Sequence, residues 1–72
     1  MQEIRLETPY ITLGQLLKIA DVISSGGQAK WYLSEHDIYV NGELDNRRGR
    51  KLYPNDEVKL PNGKTYIMKS GL

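Results

Sequence analysis

Thr12-Leu13-Gly14-Gln15-Leu16-Leu17 and, a few residues later, Ser24-Ser25-Gly26-Gly27-Gln28-Ala29-Lys30-Trp31 decide the fold. A hydroxyl residue at 12 and a glutamine at 15 have the spacing of a capping box, in which each side chain bonds the other residue's backbone N–H. An apolar stripe at Leu13, Leu16, Leu17, Ala20 and Ile23 begins there with a helical period, which predicts a helix running to the Ser-Gly bend. At that bend a glycine is expected to close the first helix in the left-handed conformation, and Ser25 or Gly27 to open the next. The second helix, about 28–35, places Ala29, Tyr32, Leu33 and His36 on one face. Lys30 and Trp31 fall outside that face.

Working outward, Glu3-Ile4-Arg5-Leu6-Glu7 alternates polar and apolar residues like a strand with one buried face, and Pro9 stops it. Residues 37–40 alternate again. Asn41-Gly42 is the dipeptide that tight hairpins favour, because both residues tolerate positive φ, and Leu44 continues the return strand. Residues 57–60 and 64–68 alternate around Pro61-Asn62-Gly63, a hairpin loop. The expected architecture is α+β, a helix pair packed on a small, mostly antiparallel sheet.

Composition narrows the function. At 72 residues the chain fits one domain, 1–72, because so short a chain buries only about 60% of its unfolded surface. With 39% hydrophobic residues and no cysteine, an ordinary but thin core is expected, with no disulfide and no thiolate metal site. The nine acidic residues are scattered and there is a single histidine, His36, so neither a metal site, a cofactor site nor a nucleophile–base pair is expected. The reading is non-enzymatic. Residues 1–7 carry charges at every other residue or so, and no apolar run is long enough for a signal peptide or a membrane span, so a soluble cytoplasmic protein without membrane contact is expected.

Net charge is only +1, but its placement is uneven: Arg47-Arg48-Gly49-Arg50-Lys51 puts four cations in five residues. Arginine suits phosphates because its planar guanidinium donates two parallel hydrogen bonds and stays charged. Standing alone, such a run reads equally well as a solvated surface loop. Ser25-Gly26-Gly27 precedes a helix whose first N–H groups lack intrahelical partners, a setting for an anion or simply a turn that needs glycine's backbone angles. Trp31, outside the core stripe, suits stacking on an unpaired base, although the only tryptophan of a small chain more often lids the core. Tyr39 points outward between Ile38 and Val40 with the same two readings.

Several of these pieces together resemble the S4 RNA-binding domain. They are Leu13, Leu16 and Leu17, then Ala29-Lys30 and Leu33, then Val40-Asn41-Gly42 and Asp56-Glu57-Val58, at the family's spacing over about 12–60. Gly26-Gly27-Gln28-Ala29-Lys30-Trp31 with Asn46-Arg47-Arg48-Gly49-Arg50-Lys51-Leu52 is similar to the stand-alone bacterial YaaA type. Thr12 and Gly26 stand where many S4 domains carry arginine, and Gly14 where an acidic residue is common. The resemblance implies an S4-like helix pair (the alpha-L motif) and a structured RNA partner, ribosomal RNA or a ribosomal particle in assembly. With the two arginines absent, the RNA contacts are expected at Lys18, Gln28, Lys30, Trp31, Arg47, Arg48, Arg50 and Lys51, and the molecule is expected to be a monomer.

Two other classes share features with the chain. A protein-binding adaptor would use Trp31 and Tyr39 as anchors. A β-grasp sulfur carrier has a similar Val-Asn-Gly-Glu hairpin and Asp-Glu-Val, but needs a terminal Gly-Gly where this sequence reads Ser70-Gly71-Leu72. An Arg47, Arg48, Arg50 triple alanine variant is expected to bind RNA weakly and keep its fold, because exposed loop charges add little stability.

Overall fold

In a computed structural model, which describes residues 1–71, the capping box forms as read. Thr12 Oγ1 accepts from Gln15 N at 3.2 Å, and Gln15 Oε1 accepts from Thr12 N at 2.8 Å. Helix α1, Leu13–Ile19, starts there but ends sooner than its stripe implies. Ala20 is the C-cap and Asp21 takes φ 62°. Asp21 N donates to Lys18 O and Val22 N to Leu17 O, the paired bonds of a Schellman motif. An aspartate fills the left-handed position, which short polar side chains tolerate better than other non-glycine residues. Val22 and Ile23 still pack on the core, though from a non-helical segment, and this is why the stripe outruns the helix.

Helix α2 spans Gly26–Glu35, with Ser25 as an N-cap that makes no side-chain capping bond. Gly26 and Gly27 are its first two residues, and neither has positive φ. The expectation that a glycine closes the first helix is therefore corrected: Asp21 makes that turn. Gln28 braces the entry instead, its Oε1 accepting from Ser24 N at 2.6 Å and Ser24 Oγ at 3.0 Å.

The remaining strands are β1 (Gln2–Leu6), β2 (Ile11–Thr12), β3 (Tyr39–Val40), β4 (Glu43–Leu44), β5 (Lys51–Leu52), β6 (Glu57–Lys59) and β7 (Thr65–Ser70). Five of them form a mixed sheet in the order β1-β7-β6-β3-β4. β1 runs parallel to β7 and the other pairs are antiparallel. Asn41 at φ 53° and Gly42 at φ 84° give the β3–β4 hairpin the positive φ pair of a type I′ turn. The Asn41 side chain also ties two sequence motifs together: Nδ2 donates to Asp56 Oδ1 at 3.0 Å, and Oδ1 accepts from Glu57 N at 2.9 Å.

The helices cover the sheet through Leu13, Leu16, Leu17, Ala29 and Leu33, which meet Leu6, Ile38, Val40, Val58 and Met68 in one buried cluster. Each of the buried Leu, Ile, Val and Met side chains contributes about 1.5–3 kcal/mol by leaving water, and Ala29 less. A second, two-stranded ribbon pairs β2 with β5 in antiparallel register, Ile11 opposite Leu52 and Thr12 opposite Lys51. Leu52 is fully buried beneath it. This ribbon carries the end of the basic segment back to the start of α1.

Candidate nucleic-acid interface

The basic segment is a built element rather than a solvated loop, and Asp45 builds it. Its side chain is only 6% exposed. Oδ1 accepts from Arg47 N at 2.9 Å and Arg47 Nε at 3.1 Å, and Oδ2 accepts from Arg47 Nη2 and Arg50 Nη1, both at 2.8 Å. Those bonds fill the lone-pair directions of the carboxylate. The Arg47 guanidinium beside it is the main reason its pKa lies well below the usual carboxylate range; the Arg47 amide and Arg50 add to this, and burial opposes it. Arg50 N then donates to Arg47 O, closing a turn over 47–50.

That turn is fastened to the helices by the backbone. Leu13 N donates to Arg50 O at 2.8 Å and Gly14 N to Arg48 O at 2.9 Å, so two of the N–H groups that α1 leaves unpaired are satisfied by the basic segment. Gly14 makes the approach possible. A Cβ there would stand 3.3 Å from Arg48 O and 3.7 Å from the Ala29 Cβ, so the missing side chain lets α1, α2 and the basic segment meet.

At the junction lies an open hollow bordered by Gln15 and Lys18 of α1, Gly26 of α2, and Arg48 and Gly49. Lys30 sits one turn after Gly26 on the same flank, and Ser34, a turn further on, borders a second hollow with Asn46. The flank of α2 that bears Lys30 therefore faces 46–49. Lys18, Lys30 and Arg48 are exposed on this side, and Arg48 has no side-chain hydrogen bond or ion pair among the described residues.

The other predicted contacts divide. Arg47 and Arg50 are both engaged with Asp45; Arg47 stays 68% exposed while Arg50 is 28% exposed. The expectation that all three arginines are loop charges of little weight in stability is corrected for Arg47 and Arg50, because a triple alanine variant would leave a buried carboxylate with only the amide at position 47 as a partner. Lys51 leans over the Tyr10 ring, its Nζ 5.1 Å from the centroid. Gln28 spends its carbonyl oxygen on Ser24. Trp31 is 69% exposed and does not lid the core. His36 rests against the Tyr32 ring at 4.5 Å.

Sequence reading missed Asp45, whose signal was an acidic residue two before Arg47 and five before Arg50. It also missed Tyr10 and Tyr53, whose rings meet at 5.6 Å. Among the described residues, no three His, Cys, Asp or Glu side chains gather as a metal site, and no helix is long and apolar enough to cross a membrane.

A short helix pair clasped by a backbone-bonded basic turn, on a mixed sheet locked by Asn41 and Asp56, has the organisation expected of the family named above. The chain belongs to the S4 domain family, whose model matches residues 4–69. It is similar to the probable ribosome maturation protein RlbA of Bacillus subtilis (strain 168), at 65% identity over 57 residues, 79% of this chain and 80% of that protein.

Proposed function

We propose that the protein is a bacterial, cytoplasmic RNA-binding factor of ribosome maturation, a single domain that holds structured RNA by its phosphates and performs no chemistry of its own. The observation that carries this reading is the pair of backbone bonds, Leu13 N to Arg50 O and Gly14 N to Arg48 O, that fix the basic turn beside both helices. A basic turn with a fixed backbone loses little main-chain freedom on binding, and Arg48, Lys18 and Lys30 are engaged in no ion pair among the described residues. A-form RNA offers phosphates and 2′-hydroxyls rather than readable base edges, which suits so small a module. Membership of the S4 domain family and the likeness to a probable ribosome maturation protein support ribosomal RNA, or a particle in assembly, as the target. Gln28, Trp31, Arg47, Arg50 and Lys51 form the outer part of the proposed surface.

The test is anisotropy titration of a labelled RNA hairpin across a salt series. Arg48→Ala, Lys18→Ala and Lys30→Ala should each weaken binding evenly across sequences and lower the slope of log affinity against log salt by about one. Unaltered affinity and slope in all three variants would dispose of the reading. Crosslinking in cells followed by sequencing of the recovered RNA would name the target.

A second reading, a protein-binding adaptor, is favoured by the exposure of Trp31 and Leu44. It predicts that Trp31→Ala abolishes association with a ribosomal particle while leaving hairpin affinity intact.

A further inference from the structure

The basic turn has two sides, and only one faces the helices. On the other side the β2–β5 ribbon continues its register outward, so that Tyr10 and Tyr53 oppose each other just beyond the Ile11–Leu52 pair. Strand alternation sends Ile11 and Leu52 inward and leaves Tyr10, Lys51 and Tyr53 on the solvent side. The two rings are in tilted contact, 47° between planes, and Lys51 occupies the space over Tyr10. Tyr53 is 47% exposed, and its tilted contact with Tyr10 is its one aromatic contact among the described residues.

Tyr53 is also held rigidly. Its N–H donates to Asp56 Oδ2 at 2.8 Å, and its carbonyl accepts from Asp56 N at 3.0 Å. Asn55 N donates to Met68 O and Met68 N to Asp56 O, which moors the turn to β7. Beside the ring is a shallow hollow bordered by Arg47, Gly49, Arg50, Lys51 and Asp56. The Asp56 carboxylate there has both oxygens occupied, by Asn41 Nδ2 and Tyr53 N. An aromatic ring on a fixed backbone, bordered by the exposed cations Arg47 and Lys51, matches a nucleotide: a flat base with a phosphate attached.

We infer that Tyr53, backed by Tyr10, is a stacking platform for one unpaired nucleobase, with Lys51 and Arg47 set to receive that nucleotide's phosphate. This rests on the RNA-binding reading and sharpens it. Gly49 borders both this hollow and the one between the helices. The basic turn is then a ridge with duplex backbone on one flank and a displaced base on the other, and the preferred ligand is a duplex that ends, bulges or opens rather than a continuous helix.

The experiment compares two RNA hairpins with the same stem, one blunt and one carrying three unpaired adenosines at its 3′ end, with the full chain as protein. The wild type should prefer the overhang hairpin by about tenfold, the scale of one base stacked on an aromatic ring. Tyr53→Leu should bind both hairpins alike, at the wild-type affinity for the blunt one, and Tyr53→Phe should keep the preference. In the unmutated protein, the Tyr53 ring proton resonances should move upfield with the overhang hairpin and stay in place with the blunt one. Equal affinity of the wild type for the two hairpins, a preference that survives Tyr53→Leu, or motionless Tyr53 resonances would each overturn the platform while leaving the RNA reading intact. Failure of the wild type to bind either hairpin would overturn both.

Discussion

Replacing Arg50 by alanine probes the ion pair that shapes the basic turn. Its guanidinium is largely covered and donates one 2.8 Å bond to the nearly buried Asp45 carboxylate, which keeps its bonds to Arg47. A hydrogen bond between charged groups is worth about 1.5–3 kcal/mol, and the side-chain carbons of Arg50 add some lost packing. A domain of this size has a total stability of roughly 4–11 kcal/mol, so the loss is a large share. At about 4–8 °C per kcal/mol, Tm should fall by roughly 6–24 °C. Arg48→Ala is the matched control: the residue is exposed and makes no side-chain bond among the described residues, so stability should stay within about 0.5 kcal/mol. Thermal melts by circular dichroism measure both. An Arg50→Ala protein that melts with the wild type, or an Arg48→Ala protein that falls as far, would refute the assignment of Asp45 as the organiser of the turn.

Acid should reveal the same group. Asp45 is a stronger acid folded than unfolded, so its contribution to stability is complete above the unfolded value near ~3.9 and drains away as pH falls from there toward the lower folded value. Asp45→Asn should flatten that part of a plot of urea midpoint against pH, at the expense of stability near neutrality. Asn41→Ala deletes two side-chain bonds and puts a less tolerant residue at φ 53°, for an expected loss of about 1–3 kcal/mol. Hydrogen exchange at the Glu57 amide should accelerate selectively in that variant. Gly14→Val drives a side chain into the Arg48 carbonyl, which should lower stability by about 1–3 kcal/mol and weaken RNA binding more than Arg48→Ala does; equal or tighter binding would show that the turn needs no contact with α1.

How far the sequence could be read depended on whether a signal was local. The capping box of Thr12 and Gln15 and the Asn41-Gly42 turn are each contained in a few residues, and both appear as read. The end of α1 is also local, but Asp21 does what glycine usually does, and the apolar Val22 and Ile23 prolong a helical stripe after the helix has stopped. The site is less legible because its logic spans separate segments. Nothing in 47–51 alone shows that Arg47 and Arg50 turn toward Asp45 while Arg48 turns away from it. The ribbon of β2 with β5 brings Tyr10 to Tyr53 across most of the chain, beyond the reach of any periodicity. Trp31 sets two local signals against each other, since helical phase puts it outside the core stripe and the usual habit of its residue type puts it over the core; the structure follows the phase.

The parallel union of β1 with β7 has a consequence for how the molecule comes into being. Gln2 finds its partner in Tyr66 and Leu6 in Ser70, so the opening strand has no neighbour until β7 has been synthesised. Closing so long a loop is entropically slow, and a nascent chain leaving its own ribosome must carry an unzipped first strand until that moment. Helices and basic turn can assemble earlier around Leu13 and Gly14, which leaves β1 as the last seam to be sewn.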